Sequence, residues 1–216
     1  MSGPRIALIH ALAHSVAPIN EAFARDWPQA RRMNLLDDSL SADLAASGRG
    51  LDAVMHDRFS RLAQYAVDCG CNAVLFTCSA FGPCIDTVAR QHDPMPVLKP
   101  NEAMIADAQA SGARIGLVAT FAPTLVSMPA EFPADVALDC LLAEGALDAL
   151  NAGRAQEHDE LIAQAALQLA QGGAQVIALA QFSMARARAL VAERTGLPVL
   201  TTVDSAVREL RHQLNS

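Results

Sequence analysis

Cys78 is the residue of this sequence best placed to do chemistry. It follows the aliphatic run Ala73-Val-Leu-Phe-Thr77 and precedes Ser79-Ala-Phe-Gly-Pro83, where a helix is expected to begin. A thiol at a helix N-terminus feels the positive end of the dipole, which lowers its pKa and raises its thiolate fraction. Thr77 and Ser79 flank it with hydroxyls and backbone donors suited to a carboxylate or an oxyanion. The competing role is a small buried hydrophobe, common for free cysteine. The other four cysteines, Cys69, Cys71, Cys84 and Cys140, sit where packing explains them, and no spacing among the five suits a disulfide framework or a zinc site.

Further polar residues stand where aliphatic runs end. His10 closes the run Arg5–His10 and is followed by His14 and Ser15; a histidine there can act as a base, an orienter or a polar group at a cleft lip. Thr120 and Thr124 follow the run Arg114–Ala119, and Gln181 and Ser183 follow Gln175–Ala180. Glu102 and Asp204 are acidic residues at matching places, each at an expected helix start, where dipole compensation accounts for them as well as catalysis would. Lys99 is the only lysine in the chain; a carboxylate contact or a Schiff base competes there with a plain surface role. Neither a Walker loop nor G-x-G-x-x-G occurs, so a nucleotide or nicotinamide cofactor has no support.

These residues need a scaffold, and composition narrows it. The 216 residues carry 16 basic and 23 acidic side chains, a formal charge of −7, with an apolar fraction of 52%. That is too apolar for disorder and offers no basic stripe to neutralise phosphates, so a nucleic-acid partner is not expected. The first apolar run, Ile6–Ile9, is too short for a signal peptide or a membrane span; a cytoplasmic protein without a membrane partner is expected. Strand-like runs at Arg5–His10, Ala73–Thr77, Pro96–Leu98, Arg114–Ala119, Gln175–Ala180 and Pro198–Thr201 alternate with amphipathic stretches such as Leu51–Val67 and Glu157–Gln171. That alternation predicts βαβ units and parallel sheets flanked by helices.

The chain also repeats itself. Arg5–Ser15 lies over Arg114–Thr124, Gly70–Cys78 over Gly173–Gln181, and Pro96–Glu102 over Pro198–Asp204, at offsets of 109, 103 and 102. The expectation is an α/β protein of two pseudo-symmetric lobes, each a mainly parallel sheet flanked by helices, with the active site in the cleft between them. The first lobe is placed at residues 1–100 and the second at 101–216, with the chain ends free to cross over. Ligands of open parallel sheets bind beyond the carboxyl ends of the strands, which is where the candidate residues lie.

Two such lobes with a cysteine after a strand of the first, in Val74-Leu-Phe-Thr-Cys-Ser-Ala-Phe-Gly82, resemble the aspartate/glutamate/hydantoin racemase superfamily, whose relatives include arylmalonate decarboxylase and maleate isomerase. The resemblance runs from Arg5 to about Val207. It implies cofactor-independent proton transfer at the carbon alpha to a carboxylate or carbonyl, with two cysteines facing each other across a cleft. The second-lobe motif, Leu-Gly-Cys in that family, stands here as Leu179-Ala-Gln-Phe-Ser-Met184. Gln181 thus holds the second cysteine's place, and an amide does not exchange protons near neutral pH.

The expected function is proton transfer on a small carboxylate-bearing molecule, without cofactor or metal. Cys78 is the catalytic residue, and His10, Ser15, Thr77, Ser79, Thr120, Thr124, Gln181 and Ser183 bind substrate. A one-cysteine decarboxylase or isomerase, a non-catalytic carboxylate-binding protein and hydrolysis through Cys78 and His10 stay open as alternatives. The Ala/Leu-rich helix faces also allow a homo-oligomer.

Overall fold

The computed structural model describes residues 3–215. The chain forms two compact units: residues up to Glu102 together with those from Ala206 onward, and Ala103–Ser205. In the first unit β1 (Arg5–His10), β2 (Arg31–Leu36), β3 (Ala73–Phe76) and β4 (Val97–Leu98) make a parallel sheet in the order β2-β1-β3-β4. In the second, β5 (Ile115–Ala119), β6 (Leu138–Leu142), β7 (Val176–Leu179) and β8 (Val199–Thr201) repeat that plan as β6-β5-β7-β8.

Apart from Arg5 and His10 at the two ends of β1, the central strands are apolar throughout, because helices cover both faces of a parallel sheet. Ala7, Ile9, Val74 and Phe76 pack on Phe59, Ala63 and Ala66 of the helix Ala53–Asp68 and on Ile85 and Val88 of the helix Gly82–His92. In the second unit, Val118, Ile177 and Leu179 meet Ile162, Ala166 and Leu169 of the helix Ala155–Gln171. The alternate residues Leu117, Ala119 and Ala178 turn to the other face, against Met104, Ala108 and Met128.

All six expected strands are present, each within two residues of its expected bounds. Two further strands escaped the sequence reading, β2 and β6. Both are sheet edges with no fully buried residue, so neither reads as a continuous apolar run. In β2 only Met33 and Leu35 reach the core. Cys140 on β6 is exposed, which corrects the expectation that it packs. The segment after Cys78 differs too: Ser79–Phe81 is a single 3-10 turn, and the α-helix begins only at Gly82.

Gly116 in β5 marks the tightest approach of helix to sheet. A Cβ there would sit 3.0 Å from the Cβ atoms of Leu169 and Ala174 and 3.1 Å from Ile177 Cδ1. Gly116→Val should destabilise the protein by about 1–3 kcal/mol through overpacking. Denaturant unfolding checks this; an unchanged midpoint would show that the Ala155–Gln171 helix moves aside freely.

Candidate functional site

In each sheet the chain steps to one side of its first strand and then to the other. The reversal lies between β1 and β3 in the first unit and between β5 and β7 in the second. Divergent connections at such a point open a crevice at the carboxyl ends of the two strands. His10, Thr77 and Cys78 stand at one of these points, and Thr120 and Gln181 at the other.

His10 is fully buried, with Nδ1 3.0 Å from Thr77 Oγ1 and Nε2 3.0 Å from Asn34 Oδ1. The direction of these bonds follows from a carbonyl. Asn20 Nδ2 donates to the Val16 carbonyl (2.7 Å) and to Asn34 Oδ1 (2.9 Å), while Asn34 Nδ2 donates back to Asn20 Oδ1. A carbonyl only accepts, so Val16 fixes the Asn20 amide, and Asn20 fixes that of Asn34. Asn34 Oδ1 must then accept from His10 Nε2–H, leaving Nδ1 to accept from the Thr77 hydroxyl. Burial lowers the His10 pKa, with the Asn34 bond opposing it, and this keeps the ring neutral.

Two expectations change in consequence. Both imidazole nitrogens are occupied, so His10 is an orienter and has none left to take a proton from Cys78. The Thr77 hydroxyl donates to His10, and its backbone N–H donates to the Ile9 carbonyl (3.0 Å). Thr77 therefore has no donor left for a carboxylate and backs the site instead of lining it. Sequence reasoning missed Asn20 and Asn34 because β2, which carries Asn34, was not recognised. Its available signal was Met33 and Leu35 alternating with polar residues.

Cys78 is half-buried and in extended backbone, one residue before the 3-10 turn. It packs against a cluster that contains Phe59, Phe76 and Phe81, in which the Phe59 ring stacks on Phe76 at 5.2 Å and meets Phe81 at a tilt at 4.8 Å. Burial pushes its thiol pKa up, and the Ala80 N–H pulls only partly the other way. This reverses the expectation of a dipole-lowered thiol, since a three-residue turn has no macrodipole to offer. The resting group is a neutral S–H with a partly open face, which is a proton donor first. Cys84 is buried in the same cluster, with its thiol pushed up to about 11 by burial and by Asp52.

Ser79 opens the turn beside Cys78, half-buried. Ser15 is buried at the start of the helix Val16–Asp26. Lys99 forms ion pairs with Asp86 (2.8 Å) and Glu102 (3.0 Å), which keeps it a charged structural group and leaves no free amine for a Schiff base. Asp204 pairs with Arg188 (3.4 Å) in the first turn of the helix Thr202–Asn215.

In the second unit the amide of Gln181 is held at both ends. Its Oε1 accepts from the Thr120 backbone N–H (3.0 Å), and its Nε2 donates to Thr124 Oγ1 (2.9 Å). The structure thus brings Thr120, Thr124 and Gln181 together. Thr124 accepts from Gln181 and so keeps its own proton to donate, and Gln181 keeps its second N–H. Ser183 lies two residues on, half-buried in the turn Phe182–Ala187. This cluster can hold an anion through neutral donors but contains no group that titrates near neutral pH. Among the described residues no group of three or more His, Cys, Asp or Glu could hold a metal ion, and no helix is long and apolar enough to cross a membrane.

The profile of the Asp/Glu/Hydantoin racemase family matches residues 13–210. Comparison with curated protein sequences returns no match. Many solved structures share the fold, three of them as follows. Allantoin racemase from Klebsiella pneumoniae is 17% identical with a TM-score of 0.73, over 99% of this chain and 88% of that one. A glutamate racemase isoform from Bacillus anthracis is 12% identical with a TM-score of 0.73, over 100% and 83%. A glycine-to-cysteine variant of arylmalonate decarboxylase, in its sulfate-associated form, is 19% identical with a TM-score of 0.69, over 99% and 94%.

Two measurements follow from the first unit's geometry. Cys78 should alkylate more slowly than a free cysteine peptide at pH 7–8, with a midpoint above the ordinary thiol value of 9.0; a midpoint below it would contradict the burial argument. His10 holds its pKa below the ordinary 6.5, so the unfolded chain binds a proton there that the folded one resists. Stability should therefore fall as pH drops below 6.5, and His10→Gln should flatten that part of the profile in denaturant unfolding across pH.

Proposed function

Since the chain belongs to the Asp/Glu/hydantoin racemase family, we propose that it catalyses cofactor-independent proton transfer, from one face only, at the carbon alpha to a carboxylate or carbonyl of a small acid or amino acid. In this reading the Cys78 thiol first loses its proton to solvent, the minor thiolate so formed takes the alpha proton, and the electron pair of the C–H bond passes into an enediolate. The resulting S–H returns a proton to the same face. Ser79 and Thr124 supply neutral donors for the carboxylate, while Ser183 and Gln181, the latter fixed by the N–H and the hydroxyl of Thr120, orient it. His10 and Thr77 fix the carboxyl ends of β1 and β3 behind Cys78, and Ser15 anchors the turn that follows β1.

The observation that carries this reading is the Gln181 amide, engaged at both ends in the place that the internal repeat matches to Cys78. A primary amide neither gives nor takes a proton near neutral pH, so the second unit offers no counterpart to the Cys78 thiol at the matching position. The upward-shifted thiol also favours a related reading, decarboxylation, in which loss of carbon dioxide leaves the enediolate and the resting S–H protonates it.

Amino acids, hydantoins and substituted malonates incubated in deuterated water test both readings. The expected result is deuterium at the alpha carbon, or carbon dioxide release, with at least one of them. Cys78→Ala should lower that rate by about 10²-fold or more, the range typical of a lost general acid–base group. Binding without any Cys78-dependent reaction would identify a non-catalytic carboxylate-binding protein instead.

A further inference from the structure

At the end of β3 opposite Cys78, the first unit gathers three sulfur atoms that the proposed chemistry does not use. The helix Ala53–Asp68 closes there in a tight turn. The Gly70 N–H donates to the Val67 carbonyl (2.8 Å) and the Cys71 N–H to the Ala66 carbonyl (3.1 Å). This paired closure needs a left-handed residue, which Gly70 supplies with φ at 73°. Cys69 and Cys71 thus flank a fixed turn, and the chain enters β3 just after it. The Cys71 thiol is buried and lies 4.0 Å from Met33 Sδ on the edge strand β2. Ala7, the register partner of Met33 on β1, carries only a methyl group and leaves the thioether room to reach across.

A thiol is a weak donor and a thioether a weak acceptor, so the pair gains little as a hydrogen bond. Its spacing suits a shared metal ion better. With metal–sulfur bonds of about 2.3 Å, two sulfurs of a three-coordinate ion stand about 4.0 Å apart. Zinc takes thiolate, imidazole and carboxylate, whereas a thioether beside thiolates points to monovalent copper. Cys69 is half-buried and close enough for its charge to act on Cys71. Its side chain is hydrogen-bonded to Tyr65, one turn back on the exposed surface. Burial pushes the Cys71 thiol up, with Cys69 adding to the push, while Arg5 and Arg31 pull the other way. Arg5 also donates to the Cys69 carbonyl, which ties its guanidinium to the turn. The thiol rests protonated, yet two cations stand ready to compensate a pair of thiolates.

We infer that Cys69, Cys71 and Met33 form a three-sulfur site for a monovalent copper ion, separate from the chemistry at Cys78. Two of its ligands are cysteines, and the thioether completes the set. Cys71 and Met33 already have the spacing of a shared ion, and Cys69 turns about its Cα–Cβ bond to supply the third sulfur. Both thiols release their protons to solvent as copper binds. One Cu(I) and two S–H groups thus become a singly negative complex and two protons, with no change of oxidation state. Cys69 and Met33 are half-buried and give the ion its way in.

Anaerobic titration of the whole protein with Cu(I), in competition with bicinchoninate, tests this. The protein should retain copper at this site, and X-ray absorption should show sulfur neighbours alone at about 2.3 Å. Met33→Leu nearly keeps the side chain's volume while removing its sulfur. It should weaken retention by at least about tenfold, since even outer-shell partners of a metal are worth that much. Cys69→Ala and Cys71→Ser should abolish retention, and Cys140→Ser, on the edge strand of the second unit, should leave it unchanged. Circular dichroism checks that each variant folds; should Cys71→Ser not fold, Met33→Leu and Cys69→Ala, both at half-buried positions, decide the matter. Failure of the unaltered protein to retain copper overturns the inference. So does retention that Met33→Leu or Cys69→Ala leaves intact, a loss that follows Cys140→Ser, or a shell of nitrogen or oxygen.

Discussion

Parallel strands covered by helices on both faces leave no room for chemistry along their length. In β1, β3, β5 and β7 nearly every side chain is buried and apolar, and the polar group that closes β1, His10, is itself sealed from water. Reactive groups can emerge only where the strands stop, and the order shared by both sheets puts a reversal of direction beside β1 and β3 and beside β5 and β7. Cys78 and Gln181 sit where they do because of that constraint. Their contrasting surroundings then determine what each can contribute.

The first reversal point is built to fix one thiol. A hydrogen-bond direction that starts at the Val16 carbonyl passes through Asn20, Asn34 and His10 and ends at the Thr77 hydroxyl. It ties β1, β2 and β3 together immediately behind Cys78. Burial against the aromatic cluster keeps the sulfur protonated, so this unit supplies a positioned acid. The second reversal point is built to hold still: Gln181 clasps Thr120 and Thr124 and offers neutral donors only. The repeated plan thus places a thiol at one reversal point and a doubly held amide at the other, and one-sided chemistry is the reading proposed for that pair.

Much of this was legible in the sequence, because buried parallel strands read as continuous apolar runs and because the repeat aligned Cys78 with Gln181 before any coordinates. The structure added what depends on non-local neighbours. β2 and β6 are edge strands that bury little, so their sequences carry no run to find. The direction of the Thr77 hydroxyl is set by Asn20 and Asn34, residues of a segment whose pairing with β1 could not be read locally. The thiol of Cys78 was expected to be acidic on the strength of a following helix. That expectation failed because three residues of 3-10 turn intervene and because Cys78 packs against a core cluster to which a separate helix contributes Phe59.

The central claim, that protons move on one face only, is tested most directly by stereochemistry. A single enantiomer of a turned-over substrate is followed in deuterated water, with label at the alpha carbon and enantiomeric excess read on the same samples. The account predicts that labelling runs to completion while the enantiomeric excess stays at its starting value. Loss of enantiomeric excess in step with labelling would contradict it, since that requires a second proton donor, which the Gln181 amide at the matching place of the second unit cannot be.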